Sequence, residues 1–330
     1  MSFGQIQENT AEPQVFPVIA ISPEMKKVLN LAKKVASYPT TVLISGETGV
    51  GKEVLASYIH RNSNRANYPF IKVNCGAIPE SLLESELFGY EPGAFTGARR
   101  EGAQGLLEAA NHGSILFDEI SELAPKAQAK LLRALQEREV RRVGGTWSKT
   151  VDVRVISSTN RNLREMVKKG LFREDLFYRL QVVHIEIPPL RKRIADIDGL
   201  LDYYVKHFSR EFGLNKSLSK EVKEILRGYT WPGNVRELRN LLESLMVTVD
   251  KEVIDVTDLP RYTTNKPLAT DIRPLKEVVD DAERQAIINA LKSFSTQHAA
   301  EALGINYTTL MRKIQRLGIK TNKKNKFICM

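Results

Sequence analysis

Gly46-Glu47-Thr48-Gly49-Val50-Gly51-Lys52 is the stretch that most narrows what this chain can fold into. An apolar run, Thr41 to Ser45, leads into it and a helical pattern leads out, which is the setting a phosphate-binding loop requires. Its glycines let backbone N–H groups converge on phosphate oxygens, and the helix start adds partial positive charge. Lys52 would reach the β- and γ-phosphates. The general motif closes on Ser or Thr; Glu53 stands there instead, so no side-chain hydroxyl is offered directly to magnesium.

The pattern around the loop sets the fold class. Further strand signals fall at Phe70–Val73, Ser114–Phe117, Val151–Ser157 and Val182–Ile187, with helical spacing between most of them, notably Ala127–Glu137. Strands alternating with helices predict a parallel α/β sheet covered on both faces. After Pro188-Pro189 the strands stop and helical patterns take over. The expected organisation is a short N-terminal segment (1–20), an α/β subdomain (21–188), a helical lid (189–258), a proline- and threonine-containing linker (259–274) and a helical C-terminal domain with a basic tail (275–330).

Composition excludes several classes. With 42% apolar and 27% charged residues the chain is globular, and its apolar runs are too short to span a membrane. The first residues lack a secretory signal. Cys75 and Cys329 make neither a disulfide framework nor a zinc site, which fits a reducing cytoplasm. Of a net charge of +10, +6 lies between Thr296 and Met330.

Ile115-Leu116-Phe117-Asp118-Glu119 places two carboxylates at a strand end, the sheet edge where ligands bind. Asp118 would hold magnesium through water, and Glu119 would polarise the attacking water. Acids after a strand also cap helices, so the pairing with the upstream loop carries this reading. Asn160, closing Ser157-Ser158-Thr159-Asn160, could bond the water or the γ-phosphate. Arg173 and Arg179 read either as surface ion-pair partners or as cations supplied to a neighbouring subunit's phosphates.

Two further segments suggest contacts. Gly93-Ala94-Phe95-Thr96-Gly97-Ala98 carries an aromatic and a hydroxyl between glycines, where an exposed ring makes sense as a contact. Thr296 to Leu317 reads as two helices around Leu303-Gly304-Ile305-Asn306, with Gly304 in a left-handed turn and Asn306 as a cap. As a helix-turn-helix it would turn Tyr307, Thr308, Thr309, Arg312 and Lys313 to DNA; as a plain hairpin it would dimerise.

Together these residues resemble the AAA+ ATPases of bacterial enhancer-binding proteins, the activators of sigma-54 RNA polymerase, from about Ile21 to Thr257. The resemblance continues in a factor-for-inversion-stimulation-type DNA-binding domain. It implies that Gly93–Ala98 contacts sigma-54 through Phe95 and Thr96. It matches Gly46–Glu53 to the nucleotide loop, with Glu53 usual for the family. Lys52, Asp118, Glu119 and Asn160 match the phosphate, magnesium, water and sensor positions. It makes Asn74 the switch that restrains the glutamate, Arg173 and Arg179 trans-acting arginines, and Arg236 the second sensor arginine of the lid.

The resemblance further implies ATP and Mg2+ as cofactors, double-stranded enhancer DNA and sigma-54 holoenzyme as partners, and a bacterial cytoplasmic location. A homo-oligomeric ring, a hexamer with a dimer as a possible resting state, follows from arginines that act on a neighbour. Most relatives carry an N-terminal regulatory domain; here only about 20 residues precede the ATPase match, as in members controlled by a separate protein, or as in a truncated chain. The rival readings are a nucleotide-sensing DNA-binding regulator that works with ordinary polymerase, whose relatives characteristically lack the hexapeptide, and a protein unfoldase, which would need a pore loop not evident here.

Overall fold

The structure, a computed structural model, describes residues 17–264 and 275–319. The first sixteen residues, most of the expected linker and the tail from Lys320 onward lie outside the described residues. The chain divides into two compact units between Asn265 and Lys266.

The first unit opens with α1 (Pro23–Ala36), capped by Ser22, whose hydroxyl accepts from the Met25 N–H. Then follow β1 (Val42–Ser45), α2 (Lys52–Arg61), β2 (Phe70–Asn74), α3 (Glu80–Phe88), the short β3 (Gly89–Tyr90) and β4 (Ala103–Gln104), and α4 (Leu106–Ala109). Next come β5 (Ser114–Asp118), α5 (Pro125–Glu137), β6 (Glu139–Arg141), β7 (Ser148–Thr150), β8 (Arg154–Thr159), α6 (Leu163–Lys168), α7 (Glu174–Leu180) and β9 (Val183–Glu186).

Five strands form one parallel sheet in the order β2-β5-β8-β1-β9. All six residues of β8 and the first four of β5 are buried, as expected of strands covered on both faces. One apolar cluster on α3, α5, α6 and α7 covers one face; another, on α1 and α2, covers the other. Arg154 is the exception within the sheet. Its guanidinium is buried and donates to the carbonyls of Ala36 and Val35 at 2.8 and 2.9 Å, closing the C-terminus of α1.

The lid comprises α8 (Ala195–Phe212), β10 (Ser217–Leu218), α9 (Lys220–Gly228), α10 (Asn234–Thr248), β11 (Val253–Ile254) and α11 (Arg261–Thr264). The parallel pair β10–β11 is too short to leave a periodic signal. Trp231, fully buried, is the largest side chain of the lid core and donates to the Leu226 carbonyl at 2.9 Å. The first residues expected to be linker are ordered instead, with Thr263 buried and Tyr262 against Tyr229 at 6.2 Å between centroids. Asp196 joins lid to sheet subdomain: it accepts from the Ile21 and Ser22 N–H groups, both at 2.6 Å, and from the Ser22 hydroxyl at 2.9 Å.

The second unit packs α12 (Leu275–Ser293), α13 (Thr296–Ala302) and α14 (Tyr307–Arg316) around Ile287, Leu291, Ala299, Ala300, Leu310 and Ile314. No helix among the described residues is long and apolar enough to cross a membrane.

Candidate nucleotide site and contact loop

Three strands deliver the site to one edge of the sheet. β1 ends in the loop Gly46–Lys52, β5 ends on Asp118, and β8 runs into Asn160. Gly49 must be glycine on two counts: its φ is +79°, and a Cβ there would stand 2.4 Å from the Gly233 carbonyl oxygen. Lys52, the first residue of α2, is nearly buried and donates to the carbonyls of Gly46 and Glu47 at 2.9 and 3.1 Å. Burial lowers its pKa, partly offset by the charges of Asp118 and Glu119, while Arg236 nearby lowers it further.

The Asn160 amide donates to the Thr48 hydroxyl at 3.1 Å, so the end of β8 touches the phosphate loop. Asp118 accepts a hydrogen bond from the Ser158 hydroxyl, one strand away, on a single carboxylate oxygen. No cluster of three or more His, Cys, Asp or Glu among the described residues forms a self-contained metal site. One carboxylate beside a phosphate loop is the donor set that suits magnesium, which takes most of its shell from water and phosphates. Glu119 has φ +54° and ψ +48°, a left-handed conformation uncommon outside glycine.

Asn74 sits beside this pair at the end of β2. Its side-chain oxygen accepts from the N–H groups of Gly76 and Ala77 at 2.9 and 3.1 Å, so it is used within its own turn. A Cβ on Gly76 would fall 2.9 Å from Glu119 Oε2 and 3.5 Å from Asn74 Oδ1, which places the two side chains around one glycine. Glu53 points elsewhere, to Lys72 at 2.8 Å. Arg236 reaches the loop through its backbone N–H, 3.3 Å from the Gly49 carbonyl, and lines a cavity of about 380 Å³ with Thr48 and Tyr262.

Arg173 precedes α7 as its N-cap residue, Arg179 lies in its last turn, and both are exposed. Arg173 pairs with Asp175 at 2.7 Å, and Arg179 donates to the Leu135 carbonyl at 2.8 Å. Buried Gln128 fixes the start of this helix by accepting from the Arg173 N–H at 2.9 Å. Neither arginine joins the Lys52, Asp118 and Asn160 contacts of its own chain.

The hexapeptide is held at both ends. β3 and β4 pair antiparallel, Gly89 with Gln104 and Tyr90 with Ala103, and residues 93–98 form the tip between them. Phe95 is 41% exposed and rests edge-on against Tyr90, 5.0 Å between centroids. A second hairpin, β6–β7, buttresses this one: Val143 bonds Gly89 and Glu91 at 2.9 and 3.0 Å, and a Cβ on Gly144 would stand 2.9 Å from that of Ala94.

In the second unit Gly304 has φ +68° and the Asn306 side chain accepts from the Thr309 N–H at 2.8 Å, the expected turn and cap. Tyr307, Thr308 and Arg312 are exposed and Thr309 is half-buried. Lys313 differs from the expectation: Glu283 of α12 holds its ammonium at 2.6 Å, and Arg316 pairs with Asp280 and Glu283. Sequence reading also missed Ser158, Arg191, Asn234 and Asp196, whose partners lie far away in sequence.

A parallel sheet carrying a phosphate loop, an acidic strand end, an asparagine at the edge of the loop and a helical lid defines an AAA+ ATPase, joined here to a helix-turn-helix. The chain belongs to the sigma-54-dependent transcriptional regulators. The sigma-54 interaction domain family matches residues 18–186, an AAA+ ATPase lid domain 191–274 and a helix-turn-helix domain 273–320. Regulatory protein AtoC of Escherichia coli is 45% identical over 313 residues, covering 92% of this chain and 68% of AtoC. Nitrogen fixation protein AnfA of Azotobacter vinelandii is 46% identical, covering 92% of this chain and 57% of AnfA. The chain thus spans only part of these relatives. NtrX of Brucella abortus, solved with ATP, superposes with a TM-score of 0.70 at 33% identity, over 92% of this chain and 70% of that one.

Proposed function

We propose that the protein hydrolyses ATP with Mg2+ as a ring of identical subunits, and that hydrolysis drives the Phe95 loop against sigma-54 holoenzyme to open promoters. Lys52 and the loop amides bind the phosphates, Asp118 carries the hydrated magnesium, and Glu119 takes the proton of the attacking water. Asn160 orients that water and touches the loop through Thr48. Arg173 and Arg179, turned outward, serve the neighbouring subunit's phosphates, so the ring, read as a hexamer, is part of the active site. Asn74 restrains Glu119, and Arg236 reports nucleotide to the lid.

The second unit anchors the ring to upstream double-stranded DNA through Tyr307, Thr308, Thr309 and Arg312; a separate protein sets when the ring acts, and the setting is the bacterial cytoplasm. The observation that carries this reading is Phe95 exposed at the tip of a buttressed hairpin in the same unit as the ATPase site. Purified sigma-54 holoenzyme on a premelted promoter, with MgATP, tests it. Open-complex formation that needs ATP and disappears in Phe95→Ala, with hydrolysis retained, is the expected result. Hydrolysis by an assembled ring with no effect on the holoenzyme would sink it.

A further inference from the structure

The phosphate loop itself carries a carboxylate. Glu47 lies between Gly46 and Thr48, in the stretch whose N–H groups gather phosphate oxygens, where an uncompensated negative charge would repel them. The lid answers that charge. Arg191 donates to both oxygens of Glu47, at 2.8 and 2.5 Å, a two-pronged geometry that a lysine cannot reproduce.

Asn234, fully buried at the start of α10 with φ +53°, completes the contact. Its amide nitrogen donates to Glu47 Oε2 at 3.2 Å and to the Thr48 carbonyl at 3.0 Å, while its oxygen accepts from the Leu190 N–H at 2.8 Å. Lys52 occupies the carbonyls of Gly46 and Glu47. Each of these acceptors on residues 46–48 is therefore engaged by a donor, and two of the donors come from the lid.

We infer that Arg191 and Asn234 are positioning residues of the nucleotide site: they neutralise and turn aside Glu47, so that the loop shows a bound nucleotide donors alone. The inference rests on the ATPase reading above and extends it by assigning the lid a charge-balancing task in phosphate affinity. Glu47 and Arg191 are 43% and 44% exposed, and a pair that open to water adds little to folding stability. Its loss is therefore expected in nucleotide binding and not in melting.

The test is a double-mutant cycle on the full chain, with MgADP binding measured by calorimetry and steady-state MgATP hydrolysis alongside. Arg191→Ala should weaken MgADP and raise KM by about tenfold, with kcat within about twofold of wild type. Glu47→Gln alone should cost MgADP affinity clearly less than Arg191→Ala, about threefold at most, because it removes the charge that needs an answer. Combining the two should bring affinity back to within about threefold of wild type, whereas losses that simply add would overturn the proposal. Arg191→Lys should fall between Arg191→Ala and wild type. A wild-type protein that binds no MgADP would instead sink the ATPase reading itself, which separates the two failures.

Discussion

Glu119 shows how one backbone angle can serve chemistry. Its left-handed conformation turns the chain sharply after Asp118, which suits the separate tasks proposed for these adjacent carboxylates at the end of one strand. Glu119→Gln keeps the shape and removes the proposed base, so kcat should fall by about 10²- to 10⁴-fold with MgADP affinity retained, as steady-state assays and calorimetry would show. Arg154→Met removes the guanidinium from both carbonyls, leaving Val35 with backbone N–H donors alone, and should cost about 1–3 kcal/mol in urea unfolding. Beside Arg191, the Glu47 carboxyl is held down at about 2, against 4.5 when unperturbed. A depressed carboxyl stabilises the fold above pH 4.5 and loses that contribution as pH falls from there toward 2. Screened by water, the difference between wild type and Glu47→Gln in urea melts should stay under about 1 kcal/mol and be flat from neutrality down to mildly acid pH. Lys52, Asp118 and Asn160 were legible because their chemistry comes at fixed distances from strand ends. Ser158, Arg191 and Asn234 were not, because a serine, an arginine or an asparagine announces nothing until its partner, dozens of residues away, is known.

At the scale of elements, strands with continuous apolar runs and helices with regular spacing were readable within a few residues. The two hairpins were not. β3, β4, β6 and β7 have two or three residues each, fewer than a period needs, and they depend on pairing with one another and not on their own pattern. Their effect is to turn a glycine-flanked loop into a supported tip. Tyr90→Ala removes the ring that Phe95 leans on. It should lower open-complex formation several-fold, on the order of the 0.5–1.5 kcal/mol of an aromatic pair, without changing ATPase rate. The helix-turn-helix was legible through Gly304 and Asn306, yet the face of α14 was only partly so, because the acids that claim Lys313 and Arg316 stand on α12. Arg312→Ala should reduce the salt dependence of DNA binding by about one phosphate contact, and Lys313→Ala should change it little, measured by fluorescence anisotropy across a salt series.

At the scale of the molecule, the arrangement of Glu119 and Arg179 makes a prediction about assemblies. If each active site takes its base from one subunit and its arginine from the next, Glu119→Gln and Arg179→Ala are each nearly inactive alone. Arg179→Ala should lose about 10³-fold in kcat or more. Mixed before assembly, the two should regain hydrolysis that neither shows separately, because some interfaces pair an intact base with an intact arginine. A mixture as inactive as its components would place the arginine's action within its own subunit.

Asp196 carries a different consequence. The N–H groups that open α1, at Ile21 and Ser22, find their acceptor 174 to 175 residues further along the chain. During synthesis the start of α1 must therefore wait, its amides bonded to water, until the lid has emerged. A helix made well before the lid is thus finished only after it. A fragment ending before Ile194 would keep every strand of the parallel sheet and still lack the carboxylate that pins its N-terminal end, so it should fray at Ile21 and Ser22 first, with fast amide exchange there.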